Sequence, residues 1–432
     1  MSATSPSARP SPSARSANAR PANARRLALD ALVAVEDGGR ANVIVPQALA
    51  ASGLEARDRA LVTELVYGTC RMRRACDWLV DRYVQGRTDP EVRAALRLGA
   101  YQLAWMRVPA HAAVASTVEE VRGPGRGLVN AVLRKVATSV EGGAIPWPDP
   151  AVELSYPDWL VARLSADLGP GPARAALVTM NRPAAMTERP DGYIQDRASQ
   201  DVAAHVGAGA GERVIDVCAA PGGKATAMAW GPSGPQAGPP GGRGSGDGPA
   251  LVVAADLDQT RASMMAGNVA RSAARSTVSV VVADALNPPW RPASFDRVLV
   301  DAPCSGLGVL RRRPDARWRL RPGDIDRLAQ LQRRLLDASI PLVRPGGLVV
   351  YSVCTLSAPE TAGIDRWLAA AYPGLLPLPP PQPPWQPAGR GGLLLPQTEG
   401  TDGMFVVTLR VGPSGLRVGP SRAPAGSPAP MA

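Results

Sequence analysis

The feature that most constrains this chain is its pattern from Glu212 onward, where short apolar, β-branched segments alternate with helix-like ones and run into acids. Residues 214–217 lead into a glycine turn, 251–255 end at Asp256, 278–283 end at Asp284, and 297–300 run into Asp301. Such alternation specifies a doubly wound, mostly parallel sheet, and these sheets take ligands beyond the carboxyl ends of their strands. The stretch 299–318, LVDAPCSGLGVLRRRPDARW, is one such strand end. It carries Asp301, a break at Pro303, the thiol of Cys304 and the cluster Arg311, Arg312 and Arg313. By residue type alone it is an ordinary loop with an inert structural thiol. Its surroundings argue for more. Further on, 328–342 has helical spacing, PGG turns the chain, and 348–352 is a strand running into Cys354.

The first of these strands opens a cradle. Cys218, Ala219, Ala220, Pro221, Gly222, Gly223 and Lys224 form a sharp turn of small residues that starts a helix. A ligand can approach such a backbone closely, and the helix amino end offers N–H groups. The dinucleotide fingerprint GxGxxG and the phosphate loop GxxxxGK[ST] are both absent from this turn. Asp256 is placed for a ribose diol and Asp284 for an adenine edge, which favours S-adenosylmethionine over NAD or ATP. Taken singly, either aspartate is equally explained as a cap on its own turn.

Ahead of this region the chain changes character twice. Residues 1–25 hold Ser, Ala, Pro, Asn and Arg with no acid and little to bury, and are expected to be a disordered basic arm. Residues 26–140 read as a helical domain, with Leu27, Ala31, Leu32, Val35, Leu61, Leu65, Val66, Leu79 and Val80 at three- and four-residue steps. Residues 141–200 are Pro-rich around one amphipathic helix and read as a bridging subdomain; 201–411 form the α/β domain. A Gly/Pro-rich flexible insertion is expected at 231–249 and a disordered tail at 412–432.

A net charge of +11 points to a polyanionic partner. Arginine dominates so strongly that lysine occurs only at Lys135 and Lys224. Together with 44 Gly and 45 Pro, that bias reflects GC-rich coding and weakens arginine abundance as a sign of RNA binding. The five cysteines, Cys70, Cys76, Cys218, Cys304 and Cys354, lack CxxC pairing, so neither a disulfide framework nor a zinc site is indicated. With only His111 and His205, a histidine-based triad or metal centre is not indicated either. No apolar run reaches the roughly 20 residues of a membrane span, and the start lacks the apolar core of a signal peptide. A cytoplasmic protein without a membrane or an obligate protein partner is expected.

Three motifs in series, DVCAAPGGK, DAPCSG and YSVCTL, resemble those of the RsmB (Sun, Fmu) family of S-adenosylmethionine-dependent RNA cytosine-5 methyltransferases. Within residues 26–137, DRALVTELVYGTCRMRRACDWLVDRY and GLVNAVLRKV resemble the all-helical RNA-binding domain of the NusB antitermination factors. The likeness spans about residues 26–411 and implies an α/β, Rossmann-like methyltransferase domain preceded by an all-α NusB-like domain. It also implies RNA, most of all small-subunit ribosomal RNA, as substrate and partner. Cofactor binding is carried onto the Cys218–Lys224 turn, Asp256, Asp284 and Asp301. The chain departs from the pattern at Arg197, where the family has an acid, in the 231–249 insertion, and in TDGMF, where a second aromatic is usual.

Cytosine carbon 5 is a poor nucleophile, so the chemistry needs a thiolate to add at carbon 6 and later to leave, which suits cysteine. Cys304 and Cys354 both fall at strand ends, and the residues alone leave the choice open; DNA cytosine-5 methyltransferases use a Pro-Cys thiol placed like Cys304. The resemblance implies Cys354 as nucleophile and Cys304 as the thiol for product release, with Asp301 recognising the base. Lys224 is expected either to steer the pyrimidine or support the loop, or, with equal weight, to be a helix-start lysine bonded to backbone carbonyls. Arg311, Arg312 and Arg313 are expected to clamp phosphates around a flipped base. The competing readings are a transfer-RNA methyltransferase, a non-catalytic assembly factor on a methyltransferase fold, and a small-molecule methyltransferase.

Overall fold

A computed structural model of the chain describes residues 23–106, 108–230, 250–413 and 415. The expected arm through residue 22, the 231–249 insertion and all but three residues of the expected tail lie outside the described residues. The chain divides into two compact units. The first comprises the helices up to Ile145 except Arg71–Ala75, and the second comprises Arg71–Ala75 and the chain from Pro146.

The first unit is helical from Ala24–Glu36 to Gly125–Glu141. Its first helix begins inside the expected arm, because the Asn23 side chain accepts from the Arg25 N–H and caps it. Ala31, Leu32, Leu65, Val66, Leu79 and Val80 are buried in its core with Leu96, Leu98 and Leu133. Some of its arginines are structural. Arg97 is buried against Asp77 and Glu36, and Arg26 pairs with Asp30 and Glu91. These guanidiniums are committed inside the protein.

The second unit carries the sheet. Its strands are β1 Arg213–Asp216, β2 Leu251–Asp256, β3 Val278–Val282, β4 Phe295–Asp301, β5 Val343–Val353, β6 Leu375–Pro377, β7 Gln386–Ala388, β8 Gly391–Leu394 and β9 Met404–Val411. They lie in the order β3-β2-β1-β4-β5-β9-β8-β7, with β6 also on β9. The five strands from β3 to β5 are parallel, and β9 runs antiparallel to β5. Helices cover both faces, so β4 and most of β5 are buried on each side and read as continuous apolar runs. The helix expected at 328–342 starts earlier, at Pro322, where Pro at the first turn and the Asp324 carboxylate on the Arg321 N–H cap it; Ile340–Leu342 continue as a 3-10 turn.

Sheet order reverses direction between β1 and β4, which opens a crevice at their carboxyl ends. Register then aligns the crevice residues. Asp301 of β4 pairs with Ser352 of β5, so Cys354 follows two residues beyond Asp301's partner.

Candidate active site

Asp216, Asp256 and Asp301 are the last residues of β1, β2 and β4, and Asp284 lies two residues past β3. All four therefore sit at one edge of the sheet. Asp256 accepts N–H bonds from Ala220 (3.3 Å) and Asp258 (3.1 Å) and pairs with Arg261 at 3.2 Å. Both Asp284 oxygens are engaged locally, by the Leu286 N–H and the Asn287 amide, and those bonds hold its carboxyl below the usual range. Asp216 is buried. Its desolvation, and next the nearby Asp301 carboxylate, raise its pKa to about 8.

The small-residue turn is tightly tied. Ala219 N–H donates to Ala255 O at 2.8 Å and Gly222 N–H to Ala219 O at 2.7 Å, while Asn268 donates to Pro221 O. Gly222 has φ +102°, and a Cβ there would meet the Met265 side chain at 3.0 Å, so both backbone and space demand glycine. Gly223 opens the helix Gly223–Trp230, and its carbonyl accepts from the buried Arg189 at 2.7 Å. Arg189 also bonds Asp191, Gln195 and Thr226 and lies over the Tyr193 ring. Sequence reasoning missed this buttress, since no local spacing links 189 to 223. Burial first, then the surrounding aspartates, push the Cys218 thiol far up, which keeps it out of thiolate chemistry.

β4, β5 and the glycine-turn helix bring four expected residues together. Lys224 Nζ lies 2.8 Å from Asp301 Oδ2, and Ser352 Oγ donates to Asp301 Oδ1 at 2.6 Å. Burial would lower the Lys224 pKa, but the Asp301 carboxylate outweighs it and the ammonium is held. Cys304 and Cys354, fifty positions apart, have their sulfurs 3.3 Å from each other. The bond from Cys304 lowers the Cys354 pKa against the effect of burial, and Arg313 and Lys224 add to the lowering. The same bond, with burial, drives the Cys304 thiol well up. The two directions make the pair asymmetric, with Cys354 the thiol eased toward its charged form and Cys304 the one held back from it. Gly308 fastens the two loops: its N–H donates to Cys354 O at 3.0 Å, its carbonyl accepts from Gly403, and a Cβ on it would overlap Gly403 O.

A further residue organises both thiols. Glu360 is fully buried and accepts from Ser305 N–H (2.8 Å), Ser305 Oγ (2.5 Å), Gln332 (3.0 Å), Thr355 Oγ1 (3.2 Å) and Ser357 Oγ (2.6 Å). Ser305 follows Cys304 and Thr355 follows Cys354, so one carboxyl group pins the loops bearing both sulfurs. Five donors converging on it remove the penalty of burying it unpaired.

The arginine cluster needs correction. Arg311 is buried and donates to the carbonyls of Pro183, Gly400 and Thr401, and Arg312 pairs with Asp196 and Asp402. Arg311 spends both Nη nitrogens on carbonyls, and Arg312 keeps only Nη1 without a partner among the described residues, so neither offers phosphate a two-nitrogen fork. Arg313, the third, is the one whose charge reaches Cys354. At Arg197, where an acid was expected, the side chain pairs with Glu399.

The donor set fits S-adenosylmethionine. Asp216, Asp256 and Asp301 gather near one turn, with Lys224 and Arg261 opposite them, and a cationic sulfonium ligand relieves their mutual repulsion. Leu257, directly after Asp256, is 69 % exposed and offers an apolar surface to a nucleoside ring. Asp256 keeps acceptor capacity for a ribose diol.

Comparison with known proteins agrees with this geometry. Residues 241–410 match the family model "16S rRNA methyltransferase RsmB/F", and residues 22–138 match the NusB family. The chain is 36% identical to ribosomal RNA small subunit methyltransferase B of Thermus thermophilus, over 89% of this chain and 97% of that protein. It is 35% identical to the putative methyltransferase Rv1407 of Mycobacterium tuberculosis, over 92% of this chain and 99% of the relative. A crystal structure of PH0851 shares the fold with a TM-score of 0.72 at 21% identity, covering 90% of this chain and 99% of that one. An acid-ended parallel sheet, a glycine turn fit for S-adenosylmethionine and near full-length likeness to these relatives place the chain in the RsmB/F family of small-subunit ribosomal RNA methyltransferases, with a NusB-family region at its front.

Proposed function

We propose that this ribosomal RNA methyltransferase acts on carbon 5 of a cytosine through a covalent adduct with Cys354. The observation that carries the reading is the thiol pair: one sulfur at 3.3 Å donates to the other, and Lys224 and Arg313 add positive charge. Bound S-adenosylmethionine supplies the methyl group on a sulfonium. The Cys354 thiolate adds to carbon 6, and the displaced ring electrons make carbon 5 nucleophilic. Asp301, fixed by Lys224 and Ser352, accepts from the exocyclic amine and orients the base, and the Lys224 ammonium offsets negative charge building on the ring.

Carbon 5 then bonds the methyl carbon as the methyl–sulfur bond breaks. A water molecule acting as base takes the carbon 5 proton, the C–H electron pair re-forms the ring double bond, and the bond from carbon 6 to Cys354 breaks, releasing the thiolate. Cys304, beside the nucleophile, takes part in this release. Asp256 binds the ribose diol, Asp284 stands at the adenine edge, and the Cys218–Lys224 turn holds the remainder of the cofactor. Arg313 is the proposed phosphate contact of its cluster. The domain limits follow the same reading: a NusB-like RNA-binding domain at 26–140, a bridging segment at 141–200 and the methyltransferase domain at 201–411. A cytoplasmic setting suits an RNA substrate and free thiols.

Incubation of purified variants with unmodified small-subunit ribosomal RNA and S-adenosylmethionine tests the proposal. Cys354→Ala is expected to transfer no methyl group and form no adduct. Cys304→Ala is expected to accumulate a protein–RNA species that survives a denaturing gel. An adduct formed by Cys354→Ala but not by Cys304→Ala would overturn the assignment.

A further inference from the structure

A depression of about 520 Å³ on the second unit is lined by Arg163, Arg333 and Arg366 with Trp367, Ala358 and Pro359. The arginines come from three separate helices, Asp158–Leu168, Pro322–Ser339 and Ala362–Ala371. Arg333 and Arg366 are exposed and make no ion pair among the described residues. Among the described residues Arg163 is held through Nε, by Asp167 at 2.8 Å, and the same Asp167 oxygen accepts the Ala358 N–H at 2.9 Å. One carboxylate thus orients both a guanidinium and the wall of the depression, and leaves the Arg163 Nη nitrogens for something else. Trp367 is half-buried and fixed edge-on against Tyr372 at 6.0 Å, and Tyr372 is anchored to Asp337.

Three guanidiniums around one concavity repel one another unless an anion sits among them, and their planar forks match phosphate oxygens. An indole beside them is a stacking platform for a base. The wall residues Ala358 and Pro359 belong to the turn ending at Glu360, the residue that pins both cysteine loops. Pro359 is five residues beyond Cys354, so the two lie within roughly 18 Å of each other even for fully extended chain.

We propose that this depression binds the RNA substrate, taking a backbone phosphate between Arg163, Arg333 and Arg366 and stacking a base on Trp367, a few nucleotides from the target. The inference rests on RNA being the substrate and is independent of which cytosine atom is methylated or of any covalent step. It gives the RNA a second anchor on the methyltransferase unit itself, on the turn that ends at Glu360.

Binding of unmodified small-subunit ribosomal RNA, measured by filter retention across a salt series without methyl donor, tests it. The double variant Arg333→Gln/Arg366→Gln is compared with Arg275→Gln/Arg291→Gln, which removes equal charge from exposed positions elsewhere on the same unit. The first pair is expected to bind at least about tenfold more weakly than the control, with a salt slope shallower by about 1.4, two single-strand phosphate contacts. Arg333→Lys/Arg366→Lys should recover most of the slope and only part of the affinity, because lysine keeps the charge and loses the fork. Trp367→Leu should weaken binding without changing the slope. Equal affinity and slope for the two glutamine pairs would overturn the proposal, as would a loss of methyl transfer with RNA binding intact. Because the readout needs no chemistry at cytosine, failure of the adduct mechanism would leave this result unchanged.

Discussion

Cys304 Sγ and Cys354 Sγ lie 3.3 Å apart at the ends of adjacent parallel strands, and the pair is asymmetric: the bond lowers the pKa of Cys354 and raises that of Cys304. A donor to a thiolate stabilises its charged form, so removing the donor must raise the remaining thiol's pKa. Cys304→Ala should therefore shift the pH midpoint for iodoacetamide alkylation of Cys354 upward. Peptide mass spectrometry of the Cys354 fragment across a pH series reads this. An unchanged midpoint would mean that Cys304 does not act on Cys354.

The Lys224–Asp301 pair joins the glycine-turn helix to β4, so each partner is exposed to loss of the other. Asp301→Asn keeps the shape and removes the charge facing Lys224. We expect kcat to fall by about 10²- to 10³-fold, the scale of losing one oriented polar group at a reacting centre. S-adenosylmethionine affinity, measured by calorimetry, should change less than kcat. A loss confined to cofactor binding would assign Asp301 to the cofactor and not to the base.

The strand ends bearing Asp256, Asp301, Cys304 and Cys354 were legible because apolar runs, acids and a proline break are local signals. Register then carried Cys354 to Cys304, as a parallel neighbour to β4 requires. The fates of Arg311 and Arg312 were not legible. Three adjacent arginines look alike in sequence, yet the carbonyls of Pro183, Gly400 and Thr401 and the carboxylates Asp196 and Asp402 that absorb two of them come from 89 or more residues away. Glu360 was hidden likewise. Nothing in APET separates a buried hub from an exposed turn until Ser305 and Gln332 arrive from other elements. Asp216 lay inside the expected strand 214–217 without being singled out, and its burial between acid-ended neighbours is a property of the assembled sheet.

Arg311→Ala should behave as a stability variant. It leaves the carbonyls it bonds without a donor, and unpaired buried polar groups cost about 1 to 3 kcal/mol each. Chemical denaturation should show a loss of at least about 2 kcal/mol, while the salt slope of RNA binding stays that of the parent. A shallower slope with full stability would restore Arg311 to the phosphate contacts.

Glu360→Gln keeps the volume but presents an amide N–H₂ to hydroxyls that now donate to a carboxyl oxygen, so Ser305, Thr355 and Ser357 must reorient. The sulfur pair is the part of the site those residues flank. Methyl transfer should fall by about one to two orders of magnitude in kcat, with S-adenosylmethionine affinity within about twofold of the parent, as befits a residue acting through position. Alkylation of Cys354 should also shift toward the Cys304→Ala profile. Full activity in Glu360→Gln would make the network dispensable for catalysis.

Asp216 makes stability depend on pH. Its folded pKa of about 8 stands above the ordinary aspartate value of 3.8, so between those limits the native state binds more protons than the unfolded chain. Stability must therefore fall as pH rises through that window, and the loss is complete above about pH 8. Asp216→Asn removes the titration while its side-chain oxygen still accepts the Cys218 N–H. Without cofactor, the parent should lose stability relative to the variant between pH 5 and pH 8, by on the order of a few kcal/mol. Denaturation midpoints of both proteins across that range measure the difference. Parallel pH profiles would show that Asp216 is already ionised in the folded protein, with Lys224 stabilising its charge.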